Sequence, residues 1–342
     1  MPNARPSHHP KRRALIALGV LLSAVPLASG GLAAQGTASS GATAWPSRSI
    51  RLVIPFPPGG ATDIIGRTLA QKLTTQLGQP VVVDNRPGAG GTLGSAEVAK
   101  APADGYTLLL ATTSTHSVAP SLFKTMPYSA ERDFTPVSEV ATATNVLIVA
   151  PTVNARDVRS LIALAKGAPD TLNYASSGNG TIVHLQAELF RQMAGISLTH
   201  VPYKGTALAI PDLISGQTQL LFDSLVSALP HIKSGKVKAL AVTSAARTPL
   251  LPSVPTVIES GLPGYEVNTY FGLFGPAGLS RDIQQRLLRE VQVAVNSADA
   301  RERFAAQGTE PVGGTPDALA ALMRSETVKW KRVIDAGQVR VE

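Results

Sequence analysis

Two short turns in this sequence carry the residue types that bind small anions. The first, PFPPGGATD, spans Pro55 to Asp63, and the second, ASSGNGT, spans Ala175 to Thr181. Each lies between a short apolar run and an amphipathic segment, which predicts a strand, a glycine-rich turn and the start of a helix. The first N–H groups of a helix have no partner within it, and the helix dipole is positive there. Because glycine lets a ligand approach these groups closely, both turns predict binding of a small carboxylate.

The candidate ligand-binding residues belong to these two turns and to loops that follow other predicted strands. The second turn carries more hydroxyl and amide groups than helix capping requires, whereas an acid at the start of the first helix is typical of a cap. The other loops are included because ligands of open α/β sheets bind at the carboxyl ends of strands. The predicted set is Phe56, Gly59, Gly60, Ala61, Thr62, Asp63, Thr113, Ser114, Ser176, Ser177, Gly178, Asn179, Gly180, Thr181, His184, Tyr203 and Asp223.

Four residues have both a structural and a functional interpretation. Asp223 follows an apolar strand, and because an unpaired buried carboxylate is costly, it meets either hydrogen-bond donors or a ligand ammonium group. His184 and Glu188 are four residues apart, as in half of a metal site, but the absence of an H-E-x-x-H pattern favours packing or capping. Lys204, in VPYKG, has the character of a solvated surface lysine.

Other chemistries lack the residues that they need. The loop Pro87 to Gly94 opens a predicted helix, but it has Leu93 where the dinucleotide fingerprint requires a glycine, and the chain has no GK[ST] phosphate loop. No G-x-S-x-G motif occurs, and the chain has no cysteine. We therefore expect no catalytic residues, no cofactor and no metal.

The elements that position the turns follow an α/β pattern. From Ile50 onwards, strand-length apolar runs alternate with longer helical patterns, which predicts a parallel sheet covered by helices. The first helix is predicted from Thr62 to about Leu77, and a loop-rich region follows from Thr112 to Phe134. A second α/β series begins at the buried strand Asn145 to Ala150. The final segments are a surface loop and two helices: Arg247 to Gly264, Asp282 to Asn296 and Asp317 to Asp335.

The first 44 residues have the pattern of a secretory signal peptide and a flexible lead. Basic residues at 11–13 precede the apolar run Ala14 to Ala28, which is shorter than the roughly 20 residues of a membrane span. We therefore expect an exported protein in the periplasm, with the leader cleaved.

Composition argues against nucleic-acid binding. The chain has 342 residues, of which 44% are hydrophobic, as expected of a globular protein with one large or two ordinary domains. Four of the 31 basic residues and none of the 23 acidic ones lie in the leader, so the remainder carries a net charge of about +4. Only 5% of residues are aromatic, and the basic residues are not clustered. Nucleic-acid recognition requires clustered basic residues and aromatic residues on which bases stack.

Several longer stretches identify a family resemblance. They are WPSRSIRLVIPFPPGGATD, LGQPVVVDNRPGAGG, ADGYTLLLAT, YASSGNGTIVH, THVPYKG, LPHIKSGKVKALAVTS, LPSVPTVIESGLPGYE and GLFGPAG. On these stretches, which cover nearly all of the chain from about Trp45, the protein resembles the periplasmic solute-binding receptors of tripartite tricarboxylate transporters. These receptors are also known as TctC-like or Bug-type proteins.

The resemblance implies an α/β, two-lobed type II periplasmic-binding-protein fold, a Venus flytrap whose ligand cleft lies between lobes joined by hinge strands. It implies that residues 45–148 and 246–342 form the first lobe and residues 149–245 the second. In the family, the loops matching Pro55 to Asp63 and Ser176 to Thr181 hold a ligand carboxylate. Ala61 stands at a position that varies in the family, and because it lacks a hydroxyl, the ligand class stays open.

The implied function is capture of a small organic carboxylate for uptake by membrane permease subunits, with no bond made or broken. A dicarboxylate, a tricarboxylate, an acidic amino acid and an aromatic carboxylate are all compatible ligands, and we expect a monomer. Two alternatives are open at this stage: a sensor subunit that signals to a membrane kinase, and a hydrolase that uses the same cleft.

Overall fold

The structure is a computed structural model that describes residues 45–341. The predicted signal peptide lies outside the described residues. The described part contains strands β1 to β10, which span Ile50–Ile54, Val81–Asn85, Thr107–Thr112, Phe134–Val149, Asn173–Ser176, Thr199–Pro202, Leu220–Ser224, Lys238–Val242, Asn268–Pro276 and Thr309–Pro311. Helices α1 to α10 span Ala61–Leu77, Thr92–Ala99, Ala119–Leu122, Val158–Gly167, Ile182–Ala194, Thr206–Ser215, Leu225–Lys233, Arg281–Asn296, Ala298–Ala306 and Pro316–Gly337.

The strands follow the order β2-β1-β3-β9-β4-β7-β5-β6, and β4 belongs to both lobes. The first part of β4 pairs with β9 and β10, and its second part, from Asn145, pairs with β7 and β8. The outer strands are parallel: β1 pairs with β2 and β3, and β5 pairs with β6 and β7. The contacts of β4 and β9 are antiparallel. The expected parallel sheet is therefore a mixed one, because these strands run against their neighbours.

Separate cores lie on the two sides of this shared strand. One core packs α1 and α8 against β1 and β3 through residues such as Leu69, Leu73 and Leu287. The other surrounds the second part of β4 together with β5 and β7. The fold is thus α/β with two lobes. Val257 and Trp330 also belong to the second core, and the lobe boundaries at 148/149 and 245/246 stay a prediction.

The main differences from the predicted elements lie in and after the second series. The strand β4 begins at Phe134 rather than Asn145 because its first half alternates polar and apolar residues, with Ala141 and Ala143 buried and Thr142 and Thr144 partly exposed. The helix α7 has no counterpart among the predicted elements, and it contains Pro230. The short strand β10 and the helix α9 were likewise not predicted.

Gly94 allows α2 to pack against the backbone that leads into the first turn. A Cβ at this position would lie 2.5 Å from the carbonyl oxygen of Arg86 and 3.1 Å from Cα of Pro55. Both are backbone atoms, which cannot move without shifting the strand ends. A larger residue therefore has no room at this helix position.

We predict that Gly94→Ala lowers the free energy of unfolding by about 1–3 kcal/mol, because overpacking outweighs the gain in helix propensity. The matched control is Gly167→Ala in α4, where a Cβ meets no atom within 4 Å, and this change should leave stability equal or higher. Urea denaturation measures both. Equal effects of the two substitutions would contradict the packing described at Gly94.

Candidate functional site

A cavity, called here the inner cavity, lies between the lobes at the ends of several strands. Its empty volume, which includes space that opens to solvent, is about 530 Å³. Seven of the predicted residues line it: Phe56, Gly60, Ala61, Thr62, Ser114, Ser177 and Asp223. The other lining residues are Pro57, Thr112, Asn145, Ile182, Val183, Gly205, Thr206, Ala207, Ser224, Thr269 and Phe271.

The first turn opens the N-terminus of α1 to the inner cavity. Gly60 precedes the helix with φ −85° and ψ 170°, and no side chain caps the helix. The first N–H groups of α1, from Ala61 and Thr62, therefore have no partner within the helix. Both residues line the cavity.

Asp63 braces this turn and does not line the inner cavity. Its carboxylate accepts hydrogen bonds from the N–H of Gly59, from Asn85 Nδ2 and from Arg67 Nε, each at 3.0 Å. Burial alone raises the pKa of Asp63, but the bonds from Arg67, Gly59 and Asn85 outweigh it and hold that pKa below its ordinary value. Asp63 is therefore ionised, and its carboxylate already accepts hydrogen bonds from other groups of the protein.

Most N–H groups of the second turn donate hydrogen bonds to other groups of the protein. The N–H of Gly178 donates to Ser176 Oγ at 3.1 Å, and that of Gly180 donates to His184 Nδ1 at 3.2 Å. The N–H of Ile182, the first residue of α5, donates across the cleft to Ser114 Oγ at 2.9 Å. Of this turn, only Ser177 lines the inner cavity.

Three stacked rings support the second turn from behind. The His184 and His200 rings lie 4.1 Å apart and 4° from parallel, and Tyr174 stacks on His200 at 4.7 Å. Burial lowers the pKa of His184 to about 4 and that of His200 to about 3, the latter with help from the charge of His184. Both imidazoles are therefore neutral at pH 7, which lets His184 Nδ1 accept the bond from Gly180.

The geometry does not assemble catalytic or metal-binding groups around these rings. Ser176 Oγ lies 2.6 Å from His200 Nε2, but Ser176 is fully buried, so no substrate reaches it. Glu188 binds Tyr174 and Arg191 rather than His184. Within residues 45–341, no group of three or more His, Cys, Asp or Glu side chains is arranged to hold a metal ion.

A third helix N-terminus, which the predicted set omits, faces the inner cavity. Gly205 precedes α6 without a side-chain cap, and Thr206 and Ala207 line the cavity opposite the first turn. A Cβ at Gly60 would lie 3.9 Å from Thr206 Oγ1. The sequence does contain a pattern that indicates this helix start. VPYKG is followed by a helical pattern, so the order of strand, glycine and helix start is the same as in the first two turns.

Asp223 and Ser224 lie at the carboxyl end of β7, beside this helix start. Asp223 accepts hydrogen bonds from the N–H of Ser224 at 2.8 Å and from Ser227 Oγ at 2.7 Å. Burial nevertheless raises the pKa of Asp223 to about 6. Ser224 Oγ is buried and has no hydrogen-bond partner among the described residues.

The strands β4 and β9 form the floor of the inner cavity through Asn145 and Thr269. Thr269 Oγ1 donates to Asn145 Oδ1 at 3.2 Å, and Asn145 Nδ2 donates to the carbonyl of Val267 at 3.4 Å. These lining residues were missed because their local sequence is that of ordinary strands. Only the pairing of β4 with β9 brings them together.

An outer chamber adjoins the inner cavity and shares Phe56, Pro57 and Ser177 with it. Its empty volume is about 780 Å³. The predicted residues Gly178, Asn179 and Tyr203 line this chamber, together with Lys204 and the loop 87–91.

The remaining predicted residues lie outside the inner cavity and the outer chamber. Gly59 lines a neighbouring surface groove. Thr113 accepts the N–H of Tyr270 at 3.1 Å, and Thr181 caps α5. Gly180 packs with φ +73°, where a Cβ would lie 2.9 Å from Leu122. Together with Asp63, Ser176 and His184, these residues line neither the inner cavity nor the outer chamber.

Comparison with known proteins identifies the class of this fold and site. A match to the tripartite tricarboxylate transporter family receptor, TctC, covers residues 65–339. The chain therefore belongs to the TctC family of periplasmic solute-binding receptors, which are not enzymes. The resemblance inferred from sequence is confirmed.

Individual relatives agree. BugT of Bordetella pertussis is 38% identical over 323 residues, which cover 94% of this chain and 96% of the relative. Among solved structures, R. palustris Rpa4515 with adipate is 36% identical and has a TM-score of 0.85, covering 86% of this chain and 99% of that one. MatC from Rhodopseudomonas palustris with bound malate is 34% identical, with a TM-score of 0.82 and coverage of 85% and 100%.

The burial of Asp223 predicts a pH-dependent effect on stability. An aspartate whose pKa is higher in the folded than in the unfolded state binds its proton more tightly when folded, so its contribution to stability falls as pH rises from about 4 through about 6. Asp223→Asn should therefore gain about 3 kcal/mol relative to the wild type between pH 4 and pH 7.5. Chemical denaturation of both proteins at several pH values measures the difference. A difference that does not change with pH would contradict the raised pKa.

Proposed function

We propose that this protein is a monomeric, exported receptor that captures a small organic carboxylate in the inner cavity. It then presents the ligand unchanged to the membrane permease of a tripartite tricarboxylate transporter. None of the helices from residue 45 onwards has the length and apolar composition that a membrane span requires. The receptor itself would work in the periplasm.

One observation carries the proposal: two helix N-termini without side-chain caps face each other across the inner cavity. The N–H groups at the start of α1 come from one lobe, and those at the start of α6 come from the other. Hydrogen bonds from N–H groups to an ionised acceptor are shorter and stronger than neutral ones. A carboxylate has two oxygens, so it can accept bonds from both helix starts at once.

The charge balance of the cavity suits such an anchor. Within residues 45–341, no Lys, Arg or His lines the inner cavity. The positive ends of two helix dipoles, each worth up to about 2 kcal/mol in a partly buried site, would supply the attraction instead. The apolar walls, which include Phe56, Ile182 and Phe271, exclude water and strengthen these bonds.

The relatives indicate the ligand class. Adipate and malate, the molecules bound to two of the solved structures, are both dicarboxylates. A ligand of this kind would place one carboxylate between α1 and α6 and extend its other end past Phe56 towards the outer chamber. We propose that Gly60, Ala61, Thr62, Ser114 and Ser177 contact the ligand, together with Thr206 and Ala207. The predicted residues that line neither space would act by positioning these.

The lobes meet through residues with little or no side chain. Gly205 packs against Pro57, where a Cβ would lie 2.9 Å from the ring, and a Cβ at Gly90 would lie 2.9 Å from the backbone oxygen of Asn179. Ser114 and Ile182 share the hydrogen bond across the cleft. These contacts describe a closed cleft, and a ligand that touches both lobes would favour this state over an open one.

A test of capture uses a thermal-shift panel of carboxylates that includes adipate and malate. We expect at least one to raise Tm, because a ligand that binds only the folded state stabilises it by mass action. Gly60→Val should abolish this shift, since Gly60 has an extended conformation that valine adopts and the added side chain would fill the space before Thr206.

The matched control is Gly167→Val, at an exposed position in α4, which should keep the shift. Gly180 is unsuitable for this test because its positive φ and its contact with Leu122 would destabilise any variant. Retention of full affinity in Gly60→Val would contradict the proposed anchor. Absence of stabilisation by every acid of the panel would contradict the proposed function.

Closure of the two lobes on a ligand can be measured in solution. We expect the radius of gyration from small-angle scattering to fall when a carboxylate from the panel is added, because the closed contacts between the lobes become populated. Lysozyme measured with the same acid serves as the buffer control. Equal radii with and without ligand would argue against ligand-driven closure.

A further inference from the structure

Asp223 is the one ionisable side chain among the described residues that line the inner cavity. It is 2% exposed, and its neighbour Ser224 is 6% exposed with an unpartnered hydroxyl. A carboxylate bound in this cavity would therefore share a small, desolvated volume with a second carboxyl group. No lining residue carries a positive charge that could offset two anions.

We propose that Asp223 is protonated whenever a carboxylate occupies the inner cavity, so that ligand capture takes up one proton from solution. The inference rests on the proposed function and deepens it. The proton neutralises one of two like charges and converts the side chain from an acceptor into a donor, which can face the ligand or the free hydroxyl of Ser224.

The physical basis is repulsion between like charges away from water. Two unit charges 4 Å apart repel by about 4 kcal/mol at an effective dielectric constant of 20. When two carboxylates share a site, one of them gains a strongly raised pKa. Burial, partly offset by the hydrogen bonds from Ser227, Ser224 and Thr206, already raises the pKa of Asp223 to about 6, so little further change is needed to protonate it at neutral pH.

The elements around Asp223 bring polar but uncharged groups to its carboxyl. Ser224 at the end of β7, Ser227 of α7 and Thr206 of α6 donate to it, and Val146 of β4 is its strand neighbour. No charge–charge interaction contributes to its pKa shift.

Charged groups on the neighbouring elements are engaged elsewhere or lie outside the inner cavity. Asp63 of α1 is bonded to Arg67. His231 of α7 lines a separate surface groove, and Lys204 lines the outer chamber.

A ligand with an ammonium group would reverse the pH dependence of binding. If the captured molecule carried an ammonium group against Asp223, the ionised carboxylate would be the binding form. Affinity would then rise with pH, and removal of the charge would weaken binding. The direction of the pH dependence therefore separates a simple carboxylate from an amino acid.

The experiment is calorimetric titration of adipate, or of the panel acid that stabilises the protein most, between pH 6 and pH 8. If only the protonated form binds, the competent fraction falls from about one half to about one hundredth, and Kd should rise about fifty-fold. Repeating the titration in buffers of different ionisation enthalpy should show uptake of about one proton near pH 8. Asp223→Asn should bind with a Kd that is nearly constant over this range, and at pH 8 it should bind more tightly than the wild type.

Asparagine is a suitable replacement, because its oxygen can accept the N–H of Ser224 while its amide donates to Ser227. The control Asp317→Asn removes an exposed carboxylate from the first turn of α10 and should retain the wild-type pH dependence. Binding with a pH-independent Kd, or with affinity that rises with pH, would overturn this inference while leaving the receptor function intact. If no acid of the panel binds to either protein at any pH, the proposed function fails as well.

Discussion

The proposed capture of a carboxylate depends on the N–H groups at the starts of α1 and α6, which have no partner within their helices. A buried donor without a partner is costly, so a helix start that faces a desolvated cavity must be satisfied by water or by a ligand. Here the glycines Gly60 and Gly205 leave both helices without side-chain caps. The α5 start, in contrast, is satisfied by Thr181 and by Ser114 from the opposite lobe. The difference indicates which helix starts are available to an anion.

The rest of the structure can be understood as support for that arrangement. The strand β4 runs through both sheets, so the two lobes are connected by continuous backbone beneath the cavity. Asn145 and Thr269 bond to each other there. Behind the second turn, neutral His184 and His200 keep the loop in place. A cavity of this kind would bind an anionic ligand through preorganised helix dipoles, without a fixed opposite charge.

Much of this fold is encoded in local patterns that the sequence displays. The helix α1 ends at Leu77 as predicted because Gly78 supplies the left-handed C-cap. The pairing of β4 with β9 joins segments more than 100 residues apart, as in Thr144 with Asn268, and no local pattern reveals it. For the same reason, the cavity residues Asn145 and Thr269 were missed.

The second turn shows most clearly what the local sequence cannot predict. Its glycines and hydroxyls matched the first turn in type, but Ser176, His184 and the distant Ser114 occupy its N–H groups. Composition revealed the potential donors, and only three-dimensional contacts revealed which donors were already used. The start of α6 was overlooked because VPYKG carries few hydroxyls, although its glycine leaves the helix uncapped.

In the proposed complex, backbone N–H groups at the starts of α1 and α6 hold the ligand carboxylate. Amide NMR of the labelled protein, titrated with the panel acid that stabilises it most, tests this directly. We expect large downfield shifts of the Ala61, Thr62, Thr206 and Ala207 amide protons, since hydrogen bonds to a carboxylate would form there. Saturable binding with shifts confined to the outer chamber, around Asn179 and Lys204, would contradict it.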